Sequence, residues 1–208
     1  MTTQATDFAC SQIGQLAGAL ERLQEPAYLR LLEEVAGRLT ACLAAGGRVL
    51  FCGNGGSAAD AQHLAAELVG RQNYDRPPAA GIALTVDTSA LTAIGNDYGF
   101  DEVFARQVRA LGRPGDVVVG ISTSGRSVNV VAALAAAREV GMTSVAFTGS
   151  DPADMAGADL VVAVPAYHTG TVQELHICCG HVILALVERS LHPREGAATP
   201  RAGAGACP

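Results

Sequence analysis

Ile13, Leu16, Leu20 and Leu23 recur at the three- and four-residue spacing of one helical face, and Pro26 ends that run. Leu32, Val35, Leu39 and Leu43 repeat the pattern and predict a second amphipathic helix. From residue 48 onward the pattern changes to short continuous apolar runs separated by longer amphipathic ones. Runs 48–52, 81–86, 117–121, 143–148 and 160–164 read as strands, and stretches 57–69, 100–110, 128–140 and 171–191 read as helices. Residues between 86 and 100 read as a loop. Apolar strands of this length alternating with helices predict an α/β fold, with a parallel sheet covered on both faces. Such a sheet places its ligand loops at the carboxyl ends of the strands. The N-terminal helical pair is more than one sheet layer needs, and it suits either a subunit interface or plain packing on the sheet. Residues 192–208 are rich in Gly, Ala and Pro and lack apolar periodicity, so they read as a disordered tail.

Length adds that one domain is expected, since 208 residues leave little room for two cores. The division read is an N-terminal helix over 1–30, the α/β domain over 31–191 and the tail over 192–208. Aromatics are only 4% of the residues against 49% hydrophobic, so the core is built from Ala, Val, Leu and Ile, which let helices lie close on a sheet. A net charge of −6 argues against a protein that lives on nucleic acid or an anionic membrane, since either partner requires a basic face. An anionic small substrate stays compatible, because backbone amides and a helix start hold phosphate without net positive charge. Cys10, Cys42, Cys52, Cys178, Cys179 and Cys207 form no C-x-x-C pair and read as small buried hydrophobes or free thiols. Residues 1–10 carry neither a basic cluster nor an apolar run, so no signal peptide is read. No apolar stretch was expected to approach the roughly 20 residues of a membrane span. A soluble, cytoplasmic protein is the expectation.

Candidate chemistry gathers in four places. Gly53-Asn54-Gly55-Gly56-Ser57-Ala58 lies between a strand and a helix. It matches the dinucleotide pattern G-x-G-x-x-G/A, although its physical content is common to many phosphate loops: glycines admit the anion and the helix start supplies N–H groups. Ser122-Thr123-Ser124-Gly125-Arg126-Ser127 repeats the arrangement with hydroxyls, whereas an N-cap needs only one of them. His63 and Glu67 stand four residues apart, on one face of the helix that follows the first loop. Gln173, Glu174, His176 and His181 mark the last helix. Gln173 and His181 are separated by about 12 Å along a continuous helix. Gln173 therefore precedes the regular helix and bends back, or the two residues serve different shells or subunits.

Taken together, these motifs resemble the sedoheptulose 7-phosphate isomerases (phosphoheptose isomerases) of the sugar isomerase, or SIS, domain family. The resemblance spans about residues 31–191 and rests on Cys52 through Ser57, Gln62-His63, Glu67-Leu68, Gly95-Asn96-Asp97, Ile121 through Gly125, Gln173-Glu174-x-His176 and His181. It implies a single SIS domain, a flavodoxin-like three-layer sandwich whose five-stranded parallel sheet is flanked by helices. It further implies a homotetramer with active sites at subunit contacts, and zinc held by His63, Glu67, Gln173 and His181. Glu67 would be the catalytic base and His181 the acid. Asn54, Gly55, Gly56, Ser57, Glu67, Asn96, Asp97, Ser122, Thr123, Ser124, Ser127 and Gln173 would hold a sugar phosphate. The implied reaction is isomerisation of sedoheptulose 7-phosphate to D-glycero-D-manno-heptose 7-phosphate.

The chain departs from the family where Thr171 replaces a frequent Arg, in the individual segment 166–170, and where Arg126 replaces a frequent Asn. These departures bear on the far end of the sugar, so an isomerase of another sugar phosphate is one alternative. A non-catalytic SIS relative that binds the replication initiator is a second, although such relatives lack the residues matching Glu67 and His181. A Rossmann nucleotide enzyme explains neither the hydroxyl loop nor His63 with Glu67. A sugar-responsive regulator would need a helix-turn-helix domain ahead of the SIS region.

Overall fold

In the computed structural model, which describes residues 3–194, the two leading apolar faces form α1 (Thr3–Leu23) and α2 (Pro26–Ala44). Pro26 opens α2 at a first-turn position, where its missing N–H has no intrahelical partner to lose. The short apolar runs become β1 (Val49–Gly53), β2 (Gly81–Ala83), β3 (Val117–Ser122), β4 (Thr143–Thr148) and β5 (Leu160–Ala163). They pair in parallel in the order β2-β1-β3-β4-β5, with Val49 opposite both Gly81 and Val117. The helices α3 (Gly56–Val69), α6 (Val128–Glu139) and α7 (Thr169–Leu191) carry the loops of interest at their N-termini.

Strand alternation divides the core into two layers. Phe51, Val119 and Phe147 face α2, α3 and α7, where Val35, Leu39, Leu64 and Ile183 bury against them. Leu50, Cys52, Val118 and Ala146 face the other side, where Val130 and Leu134 of α6 pack. Burying each such Leu, Val or Phe side chain contributes roughly 1.5–3 kcal/mol. Gly180 lets α7 lie close on α3, since a Cβ there would stand 2.6 Å from a Leu64 methyl.

Four sequence expectations are corrected. The second strand stops at Ala83, and the supposed loop after it holds a helix, α4 (Thr88–Tyr98). Asp87 caps that helix by accepting the Ala90 N–H at 2.9 Å, and apolar Val86 had masked the cap signature. The stretch read as one helix over 100–110 splits into a 3-10 turn (Phe100–Glu102) and α5 (Ala105–Leu111). Finally, α7 is 23 residues long and its most apolar 18-residue window has a mean hydropathy of 1.4, so by length and composition a run of membrane-span length does exist. Half of its most apolar window is buried inside the fold, where it serves as a core helix on the sheet.

Residue 30, the expected end of the first unit, falls within α2. Of the segment expected to be a disordered tail, residues 195–208 lie outside the described residues.

Candidate active site

All five strands run parallel, so the loops after β1, β3, β4 and β5 gather at one edge of the sheet. The strand order reverses between β1 and β3, and that switch point is where open α/β sheets leave a crevice for ligand. The glycine loop leaves β1 and the hydroxyl loop leaves β3, so the two flank the crevice.

In the glycine loop Gly55 adopts φ +56, a left-handed conformation that costs a residue with a Cβ extra energy. Gly56 begins α3, and a Cβ on it would overlap the Gln173 amide, so the loop's shape depends on that close approach. Ser57 is buried in the first turn. Asn54 turns its amide to Asn129 on α6, giving and receiving hydrogen bonds of 2.8 and 3.0 Å. This reciprocal pair joins the two loops across the switch point. In the hydroxyl loop Ser122 and Ser127 share a 2.9 Å hydrogen bond, and Ser124 Oγ accepts the Arg126 N–H at 3.2 Å. Arg126 itself reaches out to Asp151 at 2.7 Å.

No side chain caps α3, α6 or α7, and none of the three has an acidic residue in its first turn. By contrast α4, which follows β2, is capped by Asp87. Free N–H groups and positive dipole ends therefore face the crevice from three helices, an arrangement that favours an anion.

The titratable cluster lies farther along α3 and α7. His63 Nε2 stands 2.8 Å from His181 Nε2 and 3.4 Å from Glu67 Oε1. One ligand-capable atom from each of these three residues lies within 4.8 Å of the others. The second carboxylate oxygen, Glu67 Oε2, is buried without a hydrogen-bond partner. Two imidazole nitrogens and a carboxylate form a donor set suited to a divalent cation such as zinc. Asp60, one turn ahead of His63, has its carboxyl raised above the usual range by burial, with His63 pulling the other way. Cys52 beside the glycine loop is no nucleophile, because burial pushes its thiol up to about 12.

Gln173 stands within regular helix, because α7 begins at Thr169, so it does not bend back from a preceding loop. Its amide lies against Gly56, seven residues and about 10 Å of helix rise ahead of His63. Asn96 and Asp97 are exposed at the end of α4, where Asn96 Nδ2 donates to Asp97 Oδ1 at 2.7 Å. Within one chain α4 packs chiefly on the adjoining 3-10 turn, and these two residues are not brought to the His63–His181 cluster.

Several residues were not found by sequence reasoning. Asn129 is hidden because one polar residue at a helix start reads as solvated, yet it is buried. Arg76 and Glu188 form an ion pair at 3.3 Å, both side chains almost wholly inaccessible. Burial works to raise the Glu188 carboxyl, but hydrogen bonds from Asn73 and Gln72 and the Arg76 charge outweigh it and hold it below the usual range. A charged residue on the apolar stripe of α7 was the available signal.

His176 is structural. Its Nε2 donates to the Thr148 carbonyl at 3.0 Å, its Nδ1 lacks a partner, and burial pushes its pKa down to about 4. The unfolded chain takes up that proton near pH 6.5, whereas the folded chain resists until about pH 4. The neutral ring's contribution is therefore complete above pH 6.5 and is lost as pH falls toward 4, up to about 3 kcal/mol. His176→Gln, which does not titrate, is expected to flatten the fall in melting temperature across that window. Parallel curves for the two proteins would contradict the assignment.

Comparison with known proteins identifies the family that shares this fold. The SIS domain family model matches residues 14–149. A phosphoheptose isomerase of Rhodospirillum rubrum is 56% identical over 77% of this chain and 86% of its own length. One from Solidesulfovibrio magneticus is 50% identical over 92% of this chain and 93% of its own. The solved phosphoheptose isomerase of Neisseria gonorrhoeae superposes with a TM-score of 0.82 at 44% identity, covering 88% of this chain and 98% of that one. That of Francisella tularensis gives 0.84 at 34% identity, covering 91% of this chain and all of the other. The fold and the family match define an α/β protein of the SIS class. Within that class, the chain belongs to the phosphoheptose isomerase family.

Proposed function

We propose that this protein is an aldose–ketose isomerase that converts sedoheptulose 7-phosphate to D-glycero-D-manno-heptose 7-phosphate. The observation that carries the reading is the His63–Glu67–His181 cluster lying beside a crevice that three uncapped helix N-termini make receptive to an anion. The substrate's name comes from the phosphoheptose isomerases the chain resembles at 50–56% identity.

Ser122, Thr123, Ser124 and Ser127 hold the phosphate, with Asn54, Gly55, Gly56, Ser57 and Gln173 lining the opposite wall. Binding the distant phosphate spends its energy on orienting the reacting carbons against Glu67. Glu67 Oε2, which has no other partner, takes the proton from C1 of the ketose, and the electron pair left behind forms an enediolate. Glu67 returns the proton at C2, while His181 moves a proton between O1 and O2. Isomerisation is thereby balanced, with no external oxidant or reductant. Zinc, held by His63, Glu67 and His181, would polarise the carbonyl and lower the cost of the developing oxyanion. For Gln173 the contact with Gly56 favours the substrate over the ion.

Incubation with sedoheptulose 7-phosphate tests the proposal: an aldoheptose 7-phosphate should accumulate to an equilibrium reached from either side. Turnover of a different ketose phosphate with none of the heptose would move the function to another sugar.

The assembly is proposed to be a homotetramer in which Asn96 and Asp97 serve a neighbouring subunit's site. Support comes from α4, which has no buried residue, and from Phe8, Ile13, Tyr98 and Phe100, each at least 57% exposed. Light scattering is expected to give four times the chain mass. An active monomer would refute it. A cytoplasmic setting suits a sugar-phosphate substrate, and free Cys10, Cys42, Cys52, Cys178 and Cys179 suit a reducing compartment.

A further inference from the structure

We propose that segment 72–76, locked onto α7 by Glu188, is a clamp that fixes the main chain of Glu67 and His181 relative to each other. The inference rests on the reading of those two residues as the proton-transfer pair. It gives Gln72, Arg76 and Glu188 positioning roles, acting through the backbone of the catalytic residues.

The geometry comes from two helices running side by side in the same direction. Gly56 meets Gln173 at their starts, and His63 meets His181 farther along. Beyond that point α3 ends at Val69, leaving its last carbonyls without intrahelical partners. Arg76 folds back to supply them, donating from Nη2 to the Glu67 carbonyl and from Nη1 to the Leu68 carbonyl, both at 2.7 Å. A cation at a helix C-terminus also interacts favourably with the dipole. On the other side, Gln72 Nε2 donates to the carbonyl of His181 at 2.9 Å.

Glu188 ties these two grips together. Its Oε1 accepts the Gln72 N–H at 3.1 Å and Arg76 Nε at 3.3 Å. Its Oε2 accepts the Asn73 N–H at 3.0 Å and Asn73 Nδ2 at 2.9 Å. One carboxylate thus anchors the whole segment, and that segment holds the backbone carbonyls of both proposed catalytic residues. Arg76 and Glu188 are only 4% and 1% exposed at the side chain. Desolvation offsets most of what a buried pair gains, so stability alone is a poor reason to bury this one. A fixed spacing between α3 and α7 is a better one, because proton transfer and shared ligation both fail when their groups drift.

The test compares wild type, Gln72→Ala and Glu188→Gln at a temperature where circular dichroism shows each protein folded. Gln72→Ala removes the bond to His181 and leaves the segment's main-chain bond to Glu188 intact. Its melting temperature should stay near wild type, while kcat falls about tenfold or more at an unchanged KM. Zinc affinity, measured against a chromophoric chelator, should fall by about tenfold as the His181 imidazole shifts relative to His63 and Glu67. Glu188→Gln should show both losses more strongly and a lower melting temperature. If it does not fold, Gln72→Ala decides alone. Wild-type kcat and zinc affinity in folded Gln72→Ala would overturn the clamp. A wild-type protein that neither isomerised heptose phosphate nor bound zinc would sink the functional reading instead. The imidazole resonances of His63 and His181 would then judge the clamp, which fails if Gln72→Ala leaves both unmoved.

Discussion

Glu67→Gln is expected to lower kcat by roughly 10²–10⁴-fold, the range that a positioned general base contributes. The substitution keeps the side chain's length, shape and one oxygen, and it removes both the proton acceptor and the negative charge that Glu67 would offer to zinc. Glu67 faces His63 through Oε1 and leaves Oε2 without a partner, so no structural hydrogen bond to its carboxylate is lost. Arg76 grips only the Glu67 main-chain carbonyl, which the variant retains. Phosphate recognition lies in the loop after β3, remote from this position in the chain, so KM should change by no more than a few-fold. A steady-state comparison checks both parts. A variant with near-normal kcat would remove Glu67 from the role of base, whereas one with normal kcat and a greatly raised KM would assign it to substrate binding.

His181→Asn should fail in a different way. His181 contributes one of the two imidazole nitrogens that meet at 2.8 Å, and an amide is a much poorer zinc ligand than neutral imidazole. The variant is expected to lose metal affinity by more than about tenfold and turnover by about 10²-fold or more. Added zinc should restore metal content without restoring the full rate, because the group that moves a proton between the two oxygens is still missing. Metal analysis paired with kcat across a zinc titration separates these effects. Complete rescue of rate by zinc would reduce His181 to a ligand, and wild-type metal content without zinc would remove it from the metal site.

How much of this was legible in the sequence depended on whether the physics involved was local. The strands, the two phosphate-type loops and the helices behind them could be read because each follows from short-range patterning. The pairing of His63 with Glu67 followed from helical spacing alone. His181 could be added to that pair from sequence only through the family resemblance, because their contact bridges 118 residues. Helix α4 was missed because Leu91 and Ile94 are its only aliphatic residues larger than Ala, too few to show a helical period, and the Asp87 cap was read as part of a loop. The Asn54–Asn129 pairing and the partners of Glu188, though not Glu188 itself, were out of reach for another reason. Each is a buried polar contact between residues 75 or more positions apart, and a lone polar residue in sequence reads as a solvated one. Gln173 shows the intermediate case: sequence placed it eight residues from His181 and left its course open. Only the continuous helix from Thr169 settled that it faces Gly56.

Proton exchange at the reacting carbon tests the central claim most directly. Wild type and Glu67→Gln would each be incubated with sedoheptulose 7-phosphate in heavy water and followed by proton magnetic resonance. The account predicts that wild type forms the aldoheptose 7-phosphate and replaces the substrate's C1 proton with solvent deuterium, while Glu67→Gln binds the substrate but does neither. Exchange by Glu67→Gln at the wild-type rate would contradict it, because the proton would then be leaving C1 without the carboxylate proposed to take it.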